Sequence, residues 1–154
     1  MSVYGKRAEA LQREGYNCCQ CLIGTLCEEF GMDRPTAFRF AGAFGSGIGC
    51  AGDMCGALTG GMMAIGLKCK SKQLPDQEYD GEIDRLAREY LERFKEANGG
   101  KTRCRDLLGA DPYTAEGWVK IRKNDRHSNV CRPLIIKAAE IAAEVILEKK
   151  PEEA

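Results

Sequence analysis

Apolar positions along the chain recur at helical spacing, three and four residues apart. Val3, Arg7, Ala10, Leu11 and Glu14 predict a short amphipathic helix that stops at Gly15. Asn17 is suited to cap a second helix, in which Cys18, Leu22, Leu26 and Phe30 fall on one stripe before Gly31. Pro35 to Ala43 predicts a third, with proline early, where its missing N–H costs nothing. From Asp53 to about Leu67 the residues are apolar or small nearly all round, which predicts a helix buried on most sides. Lys68 to Pro75 reads as a polar connection. Ile83, Ala87, Tyr90, Phe94 and Ala97 then mark one buried stripe on a charged helix that ends at Asn98-Gly99-Gly100. Thr102 is placed to cap a turn through Cys104 to Leu108, and Asp111-Pro112 to open a short helix carrying Trp118 and Ile121. Leu134, Ile135, Ala138, Ala139, Ile141, Ala142, Val145 and Ile146 form a last core helix, and 149–154 a charged tail expected to fray. Sustained two-residue alternation is missing, as is an Asn-Gly or Asp-Gly hairpin between apolar runs. The pattern therefore predicts an all-α, single-domain bundle over 1–154, of about six to seven helices, with a glycine-rich loop before a buried helix.

Composition narrows the function more than the fold. A chain of 154 residues can bury a core without staples. Its 23 basic residues balance 23 acidic ones, so no overall field points to nucleic acid or an anionic membrane surface. The longest uncharged apolar run, Met54 to Leu67, is too short and too glycine-rich to span a bilayer, and no apolar signal region opens the chain. The expectation is a soluble, cytoplasmic protein. Nine cysteines, at 18, 19, 21, 27, 50, 55, 69, 104 and 131, are an odd number in that setting and argue against a secreted disulfide scaffold. Metal ligation, redox chemistry and plain burial remain, and burial is the expected role of Cys19, Cys21, Cys27 and Cys69.

Four cysteines share one local setting. Cys18 follows the cap candidate Asn17, Cys55 comes two residues after Asp53, and Cys104 two after Thr102. Cys131 follows Ser128 and Asn129 and precedes Pro133. All four are expected at helix N-termini, where unpaired backbone N–H groups and the helix dipole favour a thiolate. Arg103, Arg105 and Arg132 beside them are expected to add positive potential. The order Gly15-Tyr16-Asn17-Cys18, a glycine-rich loop, Cys55-Gly56-Ala57-Leu58-Thr59-Gly60, and then Cys104 and Cys131 resembles the C_GCAxxG_C_C family, whose members are described as redox-active. The resemblance spans roughly the whole chain and implies that Cys18, Cys55, Cys104 and Cys131 are its four defining cysteines. Cys19, Cys21, Cys27, Cys50 and Cys69 are additional to that pattern.

Three readings follow. In the first, a thiol oxidoreductase, Cys55 is the nucleophile, its approach left open by Gly49, Gly52 and Gly56. Cys18, Cys50, Cys104 or Cys131 resolves the mixed disulfide, and a redox partner or small molecule is the substrate. In the second, Cys18, Cys55, Cys104 and Cys131 hold zinc or an iron–sulfur cluster, although the four are dispersed and match no knuckle or ferredoxin spacing. His127, four residues before Cys131, is either a further ligand or simply exposed. Covalent c-type haem is excluded by the lack of a C-x-x-C-H sequence. In the third, Gly52, Gly56 and Gly60 with Met54, Met62 and Met63 form an interaction seam that would join a homodimer. Spacing of this kind more commonly serves packing within one chain. The glycine loop lacks both a Walker ending and a preceding strand, so nucleotide binding is not expected.

Overall fold

The computed structural model describes the backbone of residues 1–71 and 76–147 and the side chains of 1–69 and 81–147. The helix expected to be buried on most sides is the axis around which the others are arranged. In chain order these are α1 (Val3–Arg13), α2 (Cys18–Leu26), α3 (Arg34–Ala41), α4 (Gly56–Ser71), α5 (Asp76–Ala97), α6 (Cys104–Leu108), α7 (Ala115–Lys123) and α8 (Arg132–Leu147). The fold is all-α, and the one β-like pairing among the described residues is an isolated bridge between Met54 and Arg103. Among the described residues there are eight helices, of which seven are long enough to match the six or seven expected and the eighth is the five-residue α6.

Helix α4 packs against α2, α5 and α8, while α1 closes over α2 and α8. Two glycines explain how closely α2 and α4 approach. A Cβ on Gly56 would lie 2.8 Å from the Cys19 nitrogen, and one on Gly60 would lie 2.6 Å from the Cys19 carbonyl oxygen. The seam is thus internal, as its spacing suggested. Gly52 is not part of it, since it precedes the helix with a left-handed φ of +71°. On the α5 side, the Tyr90 ring fills the space a Gly61 side chain would need, and its hydroxyl donates to the Ala57 carbonyl at 2.9 Å. Leu22, Leu26, Leu58, Ile65, Leu86, Phe94, Ile135 and Ile146 complete a core of fully buried side chains. A smaller apolar cluster of Cys104, Leu108 and Ile121 lies apart from it, and Cys131 packs against both.

Several boundaries differ from the sequence-based expectation. Helix α4 starts at Gly56, so Asp53 is not its cap; the Asp53 N–H and C=O are instead bonded to Gly47 and Cys104. Its C-terminal end runs through Lys68 to Ser71, where a polar connection was expected; the rest of that connection lies outside the described residues, as does the 149–154 tail. Helix α2 tightens into a 3-10 turn over Cys27–Phe30 and stops at Gly31 with φ +77°. Helix α7 begins later than expected, because the Asp111 side chain accepts from Tyr113 N at 3.0 Å and holds an open turn. Thr114 then caps the helix, accepting from Gly117 N at 3.0 Å.

The glycine-rich loop is the least ordinary element. Ser46, Gly47, Ile48, Gly49 and Cys50 all have positive φ, of 50°, 76°, 64°, 58° and 62°. Five such residues in succession make a short left-handed turn, which costs roughly 1–2 kcal/mol for each of its non-glycine residues. It is held from outside: Arg105 Nη2 donates to Ala51 O at 2.6 Å and its Nε to Gly52 O at 3.1 Å.

Candidate functional site

Each of the four family-pattern cysteines has its own support. Cys18 is the first residue of α2, behind a capping box in which Asn17 and Gln20 exchange side-chain-to-backbone hydrogen bonds of 3.0 Å. Cys55 itself occupies the cap position of α4, with the N–H groups of Ala57 and Leu58 directed at its sulfur. Cys104 is the first residue of α6, and its N–H donates to Asp53 O at 2.6 Å. Cys55 N–H in turn donates to Thr102 O at 2.9 Å, so a short backbone ladder holds Cys55 beside Cys104. Thr102 is therefore not the α6 cap; that position belongs to Arg103, whose side chain makes no capping bond. Cys131 ends a π-helical turn over His127–Cys131 that runs straight into α8. The Arg132 N–H is already bonded to His127 O, so Cys131 does not stand at a free helix N-terminus as expected.

These elements bring the four cysteines together. Cys18 and Cys131 line one cavity together, and Cys18 lies near enough to Cys55 and Cys104 to raise both thiols. A Cβ on Gly56 would lie 3.0 Å from the Cys18 Cβ, which places Cys18 directly against the start of α4. The cluster sits where the two apolar cores meet, with Cys55 in the larger and Cys104 in the smaller.

Burial reverses the expected thiolate character. Cys18 is pushed well above the ordinary thiol value of 9.0, first by the neighbouring Cys131 side chain and then by desolvation. Burial and the charge of Cys18 raise Cys55 to about 12, against a smaller downward pull from the Ala57 and Leu58 N–H groups. Burial, Cys18, Cys55, Cys50 and Asp111 raise Cys104 to about 12. Helix-start donors are present, but desolvation and like charges outweigh them. The flanking cations are also committed elsewhere. Arg103 pairs with Asp106 at 2.9 Å, Arg105 holds the left-handed turn, and Arg132 donates to Gln12 Oε1 at 2.8 Å. Cys55 is 5% exposed, and the space beside Gly56 is filled by Cys18, Cys19 and Phe44, so the glycines do not open an approach to it.

Solvent reaches the cluster elsewhere. A cavity of about 270 Å³ is lined by Cys18 and Cys131 together with Gln12, Tyr16, Asn17 and Trp118. His127 stands exposed at the same cavity, edge-on to Trp118 with ring centroids 5.9 Å apart. Tyr16, which also lines the cavity, is stacked on Phe38 with ring centroids 4.2 Å apart. Sequence reasoning placed Trp118 on a short helix with no part in the site and gave Tyr16 no role beyond preceding Cys18. Cys19, Cys21, Cys27 and Cys69 are fully buried, as expected. Among the described residues, no group of three or more His, Cys, Asp or Glu side chains is arranged to hold a metal ion.

Residues 16–145 match the family described as "Putative redox-active protein (C_GCAxxG_C_C)". The chain belongs to this family. No curated protein and no solved structure matches it. The region that matches the C_GCAxxG_C_C family contains all four converging cysteines and both aromatic walls of the cavity, while α1 lies before it. No helix among the described residues is long and apolar enough to cross a membrane.

Proposed function

We propose that this protein acts by thiol–disulfide exchange, with Cys18 and Cys131 cycling between dithiol and disulfide. The observation that carries the reading is the placement of these two half-buried thiols together on the wall of a cavity open to solvent. Cys131, giving up its proton, attacks one sulfur of an incoming small disulfide and forms a mixed disulfide, and the other half takes that proton and leaves as a thiol. Cys18 then attacks the Cys131 sulfur, and the second half of the substrate leaves as a thiol with the proton that Cys18 has held. Two electrons pass from the protein to the substrate, which leaves as two thiols. Cys55 and Cys104 lie behind this pair, too buried to meet a substrate themselves.

The test is a brief reaction of reduced protein with hydroxyethyl disulfide, followed by alkylation and peptide mapping. A Cys18–Cys131 crosslink is expected, with turnover lost in Cys18→Ser and in Cys131→Ser. Oxidation of some other pair while both remain free to alkylate would overturn the assignment. Metal analysis and an absorption spectrum after oxygen-free purification decide the zinc or iron–sulfur reading of Cys18, Cys55, Cys104 and Cys131. A stoichiometric metal or a visible cluster band refutes simple dithiol chemistry.

A further inference from the structure

We propose that Cys104 and Cys50 form a second dithiol, which accepts the disulfide from Cys18–Cys131 and carries it to the surface outside the cavity. The proposal rests on the exchange chemistry above and adds a second port to it. Cys50 is exposed, is not among the residues lining the cavity, and belongs to no part of the four-cysteine pattern. Its position is nonetheless tied to the cluster. The segment just after it is pinned to the first turn of α6 by Cys104 N to Asp53 O at 2.6 Å and Arg105 N to Gly52 O at 3.0 Å. The Arg105 side chain adds its two bonds to Ala51 and Gly52. On its other side the same ladder joins Cys104 to Cys55 at the start of α4, against which Cys18 packs. Backbone bonds thus hold Cys104 between the Cys18 side of the cluster and the turn that carries Cys50.

The transfer balances without any added oxidant. Cys104, on losing its proton, attacks Cys18 of the Cys18–Cys131 disulfide, and Cys131 leaves and takes up a proton. Cys50 then attacks Cys104 in the mixed Cys18–Cys104 disulfide, and Cys18 leaves and is protonated in turn. One disulfide is consumed, one is made, and the two protons move from the second pair to the first. The cavity would admit small disulfides. Cys50, on an exposed turn beside the 43% exposed Ile48, is open to a larger partner. The chemistry that fits it is a protein dithiol, which reduces Cys50–Cys104 and becomes a disulfide itself.

The experiment is a single-turnover oxidation with hydroxyethyl disulfide, quenched at intervals and mapped, followed by reduction with either a thioredoxin-type protein or dithiothreitol. In the unmodified protein the Cys18–Cys131 crosslink is expected first and Cys50–Cys104 later. In Cys50→Ser, and in Cys50→Gly, which also suits the left-handed backbone, oxidation is expected to stop short of the second pair. Reduction by the protein dithiol should then slow about tenfold or more, while reduction by dithiothreitol stays within about twofold. If Cys50 remains free while Cys18–Cys131 is fully oxidised, the relay is refuted and the cavity-side chemistry stands. Formation of Cys50–Cys104 at an undiminished rate in Cys131→Ser also refutes it, because the pair is then oxidised directly from solution. If Cys18–Cys131 never forms, both proposals fall together.

Discussion

Two glycines in α4 separate the packing of the site from ordinary helix propensity. Gly60 and Gly66 both lie inside the helix, where alanine is favoured over glycine by about 0.8–1.0 kcal/mol. A Cβ on Gly66 meets nothing within 4 Å, so Gly66→Ala should realise that gain and raise the melting temperature by about 2–4 °C for a chain of this size. A Cβ on Gly60 would lie 2.6 Å from the Cys19 carbonyl oxygen and 2.7 Å from the Leu22 Cβ. Neither atom can swing aside as a flexible side-chain end could, so the strain belongs near the upper end of the roughly 1–3 kcal/mol typical of overpacking. Gly60→Ala should therefore lose about 1–2 kcal/mol net, or about 2–8 °C. The displacement falls on the first turn of α2, which carries Cys18, so the Cys18–Cys131 crosslink should also form more slowly. Thermal and urea unfolding of both variants, with all thiols reduced, measure the difference. The same sign of shift in both would show that α2 and α4 are not in the contact described.

The raised thiols make stability pH-dependent in one direction. Cys55 and Cys104 keep their protons to about 12 when folded but lose them near 9.0 when unfolded, so their stabilising effect is complete below pH 9.0 and is lost as pH rises towards 12. Urea midpoints should fall across that window, by up to about 1.4 kcal/mol per pH unit for each thiol, and a flat profile would contradict the burial argument. Asn17→Ala removes the α2 capping box and a 3.0 Å bond to Gly42 O. It should cost about 1–2 kcal/mol in urea unfolding and reduce the yield of the Cys18–Cys131 crosslink.

What the sequence made legible was what depends on neighbouring residues. Asn17 with Gln20 is a local signature, and α2 begins where it says. The apolar circumference of α4 marked a buried helix, and Gly56 and Gly60 marked its close approach to another. Asp53 misled for a physical reason: it has the chemistry of a cap, but its backbone groups are taken by Gly47 and Cys104. The left-handed turn was hidden because Ser46, Ile48 and Cys50 rarely adopt positive φ, and Arg105, far away in sequence, holds the turn. The thiolate expectation failed at Cys18, Cys55 and Cys104 because a helix start is local, whereas desolvation and a neighbour's charge come from the tertiary fold. At Cys131 it was the expected helix start that was missing, since only the structure reveals the π-helical turn that occupies the N–H after it. Convergence of the four sulfurs needed the ladder from Thr102 to Asp53, which no spacing in the sequence encodes.

The position of the Cys55 sulfur bears on how replacement experiments are to be designed. Its sulfur receives the N–H groups of Ala57 and Leu58, and a serine hydroxyl is among the best acceptors for that position. Serine at 55 therefore removes the thiol while preserving the start of α4, and alanine removes both. At Cys19, Cys21, Cys27 and Cys69, fully enclosed in the core, the preference inverts. A serine hydroxyl there costs about 1–3 kcal/mol wherever it finds no partner, whereas alanine leaves only a small void. A scan that used one replacement at all nine positions would record helix capping at one sulfur and core polarity at four others, and both effects could be mistaken for redox chemistry.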